Sequence, residues 1–361
     1  MPIATATYER LAGNMLEIYE EAERRMLQKV SRRLIRGIES KGWTERKYAE
    51  VSEVRKEIQA VLNDLRKQRG PLMNNVITRV FGEGIKAFTT EAERFTGMLG
   101  ISSLSPGSLK VARILGELND KLNAADRVIL RRANDAYADI IGRVSAQVAS
   151  GTTTVHQAVQ DAVDDFAEKG ITSFVDKAGR VWEMSTYAEM AILTAIGNAT
   201  RAGYFDTMAA YGYDLVIVSA HAGACPLCEA WQGVVLSVSG DNRQYLSVGD
   251  AEAGGLFHPR CLHHLSVYHD DAHEGARTSP REVDMPSGDY TNRQRQRYYE
   301  RQVRRWKRRM AAATDAKTER YAFNRVHLWQ GRIRSLLSSR ATDFLPRKYW
   351  REGGRQVLQF K

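Results

Sequence analysis

From Tyr8 onward, Leu11, Met15, Ile18, Ala22, Met26, Val30 and Leu34 recur every three or four positions, the spacing that brings apolar side chains onto one face of an α-helix. A second run, Tyr48, Val51, Val54, Ile58, Val61 and Leu65, repeats the pattern. Together they predict a helical hairpin packed stripe to stripe. Further helices are predicted over 72–98 and 106–149. Ser105 before Pro106 supplies an N-cap and a first-turn proline for the latter. Thr154 with Gln157 forms a capping box for a short helix ending near 168.

At 171 the period changes. ITSFVDKAGRVWEMS alternates apolar and polar residues around a DKAG turn, as a β-hairpin does. Thr186 with Glu189 reads as a capping box for a helix running to about 211. YDLVIVSA, apolar and β-branched, predicts a buried strand. Shorter strands are expected in VVLSVS, RQYLSV and HHLSVYH. After an acidic connector with Gly and Pro, helices return at about 290–312 and 315–340.

Composition adds limits. A chain of 361 residues exceeds the roughly 250–300 residues at which a single core stops growing. Hydrophobic content of 43% with 27% charged residues is that of a folded protein. No window approaches the roughly 18 apolar residues of a membrane span, and MPIATATYERL lacks the basic start and apolar stretch of a signal peptide. Synthesis and folding in a cytoplasm are therefore expected, with no membrane partner.

The charge is uneven. Of a net +10, the segment TNRQRQRYYERQVRRWKRRM at 291–310 carries +8, leaving +2 for the remainder. In helical register Tyr299, Val303, Trp306 and Met310 share one face, leaving Arg297, Arg301, Arg304, Arg305, Arg308 and Arg309 on the rest. A face of one sign predicts a contact with a polyanion, made through charge and not through base reading.

Three cysteines supply the candidate chemistry. Cys225 and Cys228 form C-x2-C in GACPLCEAWQG, and His258 and Cys261 form a second pair with the same gap in GGLFHPRCLHH. Two ligands on one tight turn bind one ion, and two such turns complete a tetrahedron. Thiolates with imidazole favour zinc over calcium or magnesium, which prefer oxygen ligands. Four protein ligands leave no position for an activated water, so Cys225, Cys228, His258 and Cys261 predict a structural zinc, with His263 as an alternative fourth ligand. The predicted fold class is α+β: a long helical N-terminal half over 1–170, a small zinc-stapled α+β domain over 171–270, a connector over 271–289, and a C-terminal basic helix pair with its tail over 290–361.

Enzyme readings fare less well. A zinc deaminase needs H-x-E upstream of P-C-x-x-C, and no histidine here precedes a glutamate at that spacing. No G-x-x-x-x-G-K-[ST] is present for phosphates. Arg180, Ser185, Thr186 and Glu189 faintly resemble elements of ADP-ribosyltransferases, but the hairpin end and capping box account for them without a following Glu-x-Glu. The alternative function is a zinc-dependent nuclease using His263 or His264, with His269, Asp270, Asp271 and His273 nearby, or another zinc-containing nucleic-acid-binding protein.

The segments FVDKAGRVWEMSTYAEM, GYDLVIVSAHAGACPLCEAWQGVVLSVSG and GLFHPRCLHHLSVY, followed by RQRYYERQVRRWKRR and Gln330, resemble the phage minor capsid protein 2 family, related to the MuF-like head-morphogenesis proteins of tailed bacteriophages. The resemblance covers roughly 170–340. It places Leu193 where the family pattern has an Arg, and that pattern keeps HAG, WQG and P-x-C-x-H without requiring the cysteine pair. It implies a non-enzymatic, low-copy or oligomeric protein of the virion, in the capsid interior or at the portal vertex. The implied role is head morphogenesis, DNA packaging or ejection, with the portal, other capsid proteins and packaged DNA as partners.

Overall fold

Apolar stripes that need more than one partner explain the helical body of the computed structural model, which describes residues 5–96, 108–151, 153–169, 173–175, 179–259, 261, 263–283 and 288–338. Helix α1 (Thr5–Ile35) buries Met15, Ala22, Met26, Val30 and Leu34. A short α2 (Trp43–Ala49) leads into α3 (Val51–Thr96), which buries Val54, Ile58, Val61 and Leu65 against it. Ion pairs Arg25–Asp64 and Arg33–Glu57 lace the α1–α3 seam.

Two expectations are corrected here. Tyr48 is exposed because the second stripe is broken between α2 and α3. The helix predicted to begin at 72 is instead continuous with the one before it, running through Pro71. Proline deprives the carbonyl of Lys67 of its helical partner. Leu65 on one side and Met73, Val76 and Ile77 on the other are buried in the same core, so packing holds the axis together across the lost bond.

Helix α4 (Ser108–Ala149) and α5 (Val155–Lys169) complete the N-terminal half. The expected Ser105–Pro106 start lies outside the described residues. At α5 the amide of Gln157 donates to Thr154 Oγ1 at 3.2 Å, half of the expected capping box. Between α1, α3 and α4 sits a buried polar knot: the Arg69 guanidinium donates to Tyr19 Oη at 2.9 Å and to Asp126 at 3.0 Å, and also bonds Asn123.

Strands β1 (Ser173–Val175) and β2 (Val181–Glu183) pair antiparallel as the predicted hairpin. Helix α6 (Met184–Ala210) then starts two residues before the expected cap at Thr186. Thr186 donates to Glu183, the N-cap residue of this helix, at 3.4 Å, while Glu189 is buried and faces Arg304, so Thr186 makes a local contact one turn into the helix and Glu189 a tertiary one. Leu193, at the departure from the family pattern, packs against the helical core.

Helices α3 and α6 form the most extensive contact in the fold. They touch through backbone: a Cβ on Gly84 would meet the Thr200 carbonyl oxygen at 2.1 Å, and one on Gly203 would meet that of Phe81 at 2.1 Å. Only glycine at both crossings permits this approach.

The C-terminal ends of these two helices carry the sheet. Strands β3 (Leu215–Val218), β4 (Val235–Ser237), β5 (Leu246–Ser247) and β6 (Leu265–Val267) lie in the order β5-β4-β3-β6. The β3 pairings with β4 and β6 are antiparallel, and β4 with β5 is parallel. Helices α7 (Pro226–Glu229) and α8 (Val248–Ala253) lie in the connections. Phe88 of α3 and Tyr204 and Met208 of α6 enter a second core with Val216, Val218, Leu236, Val267, Trp231 and Leu256. Glu91 ties it off, bonding Tyr204 and accepting from the Val267 amide at 3.4 Å.

Helices α9 (Gly288–Ala312) and α10 (Ala316–Ser338) form an antiparallel pair with its own small core of Val303, Trp306, Ala322, Val326, Trp329 and Ile333. The aromatic seam predicted for α9 is this contact. No described helix is long and apolar enough to cross a membrane.

Candidate metal centre

Chain geometry after β3 builds two matching turns. Cys225 has extended backbone and precedes Pro226 at the first turn of α7, where a missing N–H costs nothing. The carbonyl of Cys225 accepts from the amides of Cys228 (3.0 Å) and Glu229 (2.8 Å). The carbonyl of His258 likewise accepts from the amide of Cys261 at 2.8 Å. Each predicted pair therefore lies on a tight turn. The turns are brought together by β3 and β6, whose ends are joined by Ser219 N–H to the His264 carbonyl (3.0 Å) and His264 N–H to Ser219 Oγ (3.1 Å).

The approach to the second turn is crowded. Gly255 has φ 100° and a Cβ there would meet Leu227, while one on Gly254 would strike the Trp231 ring at 2.5 Å. Phe257, at φ 57°, is the one non-glycine residue with positive φ among the described residues. Its ring lies beneath the Arg201 guanidinium at 4.0 Å.

Two triads of potential ligands result, Cys225–Cys228–His258 and Cys228–Cys261–His263, each with its ligand atoms within 4.8 Å of one another. Cys228 is common to both and fully buried. Cys225 Sγ lies 2.9 Å from His258 Nε2, Cys228 Sγ 3.5 Å from Cys261 Sγ, and Cys261 Sγ 3.4 Å from His263 Nδ1. The thiols share protons unequally. Hydrogen bonds from Cys228 push Cys225 and Cys261 down into the thiolate range, and the same bonds push Cys228 up. The Cys225 thiolate in turn raises the His258 imidazole. Thiols lowered by their neighbours beside an imidazole form a donor set able to exchange its protons for a metal ion.

Residues not singled out by their chemistry complete the site. Gln232 Nε2 donates to the His221 carbonyl at 2.9 Å and lies 3.0 Å from His263 Nε2, and the rings of His221 and His263 lie 4.2 Å apart, tilted by 35°. HAG and WQG, seven residues apart, meet P-x-C-x-H from about thirty residues further on at this point. Those motifs were the available signal for Gln232 and His221. Arg293 of α9 reaches the Gly223 carbonyl at 2.9 Å, and Tyr290, Arg293 and Arg297 line the cleft over the sulfurs.

Of the groups of the nuclease alternative, His263 lies in the second triad and the others are placed differently. His264, His269, Asp270, Asp271 and His273 belong to neither triad among the described residues. Burial lowers His264 to about 4, keeping its imidazole neutral. His269 and His273 bond one another and lie against Tyr213 and Tyr268.

A model of the phage minor capsid protein 2 family matches residues 3–338. The chain belongs to that family. The match runs through the helical half, well beyond the 170–340 stretch over which segment resemblance is visible. The chain is similar to a structural protein of Lactococcus phage LL-H, at 28% identity over 295 residues, 78% of this chain and 76% of the relative. It also resembles a structural protein of Lactococcus phage mv4, at 44% identity over 62 residues, 16% of this chain and 49% of that protein. No solved structure matches it.

In this family member the basic helix presents its arginines differently from the sequence expectation. Arg304 and Arg308 are buried, not displayed. With Arg293, Gln296 and Glu300 they make a stripe spaced by three and four residues, which docks on the body. Arg308 donates to the Ala167 carbonyl at 3.1 Å and to Glu183 at 2.5 Å, and Arg309 pairs with Asp164 at 2.5 Å. These cations are neutralised from within by acids of α5, β2 and α6. Arg297 lines the metal-centre cleft, Arg301 is exposed beside Tyr298, and Arg305 lies half-buried near Trp306.

Proposed function

We propose that this chain is a non-enzymatic minor structural component of the phage head, near the portal, serving head morphogenesis, DNA packaging or ejection. Family membership supports the structural role. The portal position and DNA rest on the resemblance to head-morphogenesis proteins and on the local excess of arginine. In this reading a zinc ion held by Cys225, Cys228, His258 and Cys261 staples the loops after β3 and before β6. Arg297, Arg301 and Arg305 make non-specific contacts with packaged DNA, while Arg304, Arg308 and Arg309 fasten α9 to the body.

The observation carrying the staple is the convergence of two tight turns on a buried Cys/His cluster. The donors fit zinc. A tetrahedron with Zn–S near 2.3 Å and Zn–N near 2.0 Å has S···S edges of about 3.8 Å and S···N edges of about 3.5 Å; Cys228–Cys261 at 3.5 Å and Cys225–His258 at 2.9 Å are shorter, so an ion entering the cluster would spread these atoms by a few tenths of an ångström. With four protein ligands the ion would hold the turns together and activate no water.

Metal content and thermal unfolding of the purified full chain, with and without chelator, test this. One zinc per chain, a lower melting point after its removal and no DNA cleavage in either state are expected. A fold indifferent to chelation, together with a metal-dependent DNA-cleaving activity, would replace the structural reading with the nuclease one.

A further inference from the structure

Five side chains offer a sulfur or nitrogen to the cluster, one more than a closed tetrahedron takes, and hydrogen bonds decide between the two imidazoles. At His258, Nδ1 lies 2.9 Å from the Pro259 carbonyl oxygen. A carbonyl only accepts, so Nδ1 carries a proton and Nε2, 2.9 Å from Cys225 Sγ, is the nitrogen available to a metal. At His263 the order is reversed. The Gln232 amide nitrogen is fixed by its 2.9 Å bond to the His221 carbonyl, because the amide oxygen cannot bond there. The same nitrogen is 3.0 Å from His263 Nε2, which must therefore accept. The neutral ring then carries its proton on Nδ1, 3.4 Å from Cys261 Sγ.

We infer that His258 closes the metal shell through Nε2, and that His263 stays outside it, donating from Nδ1–H to the Cys261 thiolate and positioning that ligand. The inference rests on the metal reading above and sharpens it. The backbone amide of His263 also donates to Cys261 Sγ at 3.4 Å, so this sulfur receives two N–H groups from one residue. Such support orients a ligating thiolate and offsets its charge. It also explains the reach of Gln232: by holding Nε2 as an acceptor, it sets the tautomer that His263 needs.

The full chain loaded with Co(II) or Zn(II) tests this. Wild type should show a four-coordinate cobalt spectrum with three thiolates and one imidazole. His263→Ala should keep that spectrum while metal affinity falls roughly 10–100-fold. His263→Asn, which retains an N–H near the Nδ1 position, should restore part of the loss. His258→Ala should lose the imidazole and change the cobalt bands. In the zinc-loaded wild type, imidazole nitrogen NMR should show Nδ1–H on both rings and metal only at Nε2 of His258, an outcome that does not depend on how the variants fold. A reversed pattern, with His263 metal-bound and His258 dispensable, would overturn the inference and leave the metal reading standing. A wild-type chain that takes up neither ion would remove both.

Discussion

The helical body and the sheet-bearing module are held together by different means. The body closes a long core on itself: stripes from α1, α3, α4, α5 and the first half of α6 meet, and the charged groups inside it are paired. The module has four strands of two to four residues and a smaller core, part of it lent by Phe88, Tyr204 and Met208 from the long helices. Its connections are long compared with its strands. Short strands with long loops bury little apolar surface per residue, so local cross-links matter more there. The Cys/His cluster lies where the loops would otherwise diverge.

Removing the metal should separate the two regions most. With chelator, or with Cys228→Ser, amide exchange over 219–268 should lose protection worth on the order of 5 kcal/mol, less than zinc contributes to isolated fingers, while exchange in α1 and α4 barely changes. Equal loss in both regions would show that the cluster is part of one cooperative unit. Next in size is Arg308→Ala, which removes a buried guanidinium from the half-buried Glu183. A loss of about 2–3 kcal/mol is expected in urea unfolding, and no effect would mean that α9 is not fastened through this pair.

Gly203→Ala should cost about 2–3 kcal/mol, because the new methyl meets the Phe81 carbonyl. Since α6 serves both cores, unfolding followed by helical and by tryptophan signals should shift together. Acid should act on a similar scale. Burial lowers His264 to about 4, whereas in the unfolded chain it titrates near 6.5. The unfolded state binds the extra proton between those values, so this contribution to stability is full above about pH 6.5 and falls as pH drops toward 4. His264→Gln should flatten that part of the profile. Smallest for stability are Arg297→Ala, Arg301→Ala and Arg305→Ala, each expected to leave the melting point nearly unchanged and reduce the salt slope of DNA binding by about 1. Unchanged slopes would direct the basic helix toward acidic protein instead.

Particular residues show how far sequence reading reached. Met15 to Leu34 and Val54 to Leu65 declared their buried faces because helical periodicity is local. The hairpin around 173–183 and strand Leu215–Val218 were visible through alternation and β-branching. The helix expected to start at 72 is continuous with the one before it, since the local effect of Pro71 is outweighed by apolar residues packed on both sides. Thr186 and Glu189 had the spacing of a cap, but the helix starts two residues earlier and Glu189 faces Arg304. At the cluster, cysteine spacing brought out the ligand candidates, while Gln232 and His221 carried no chemical signature and were visible only as parts of family motifs.

Helical and strand segments, the concentration of positive charge in one helix and the placing of candidate metal ligands on short turns were legible in sequence alone, because each is written within a few residues of itself. Only packing settled which arginines of α9 face inward, which imidazole nitrogens lie against the sulfurs, and that two glycines let α3 and α6 touch. Those outcomes depend on groups distant in the chain, namely Glu183 and Asp164 for the arginines, Gln232 for His263, and the Thr200 and Phe81 carbonyls for the glycines. No local pattern encodes what will be packed against it.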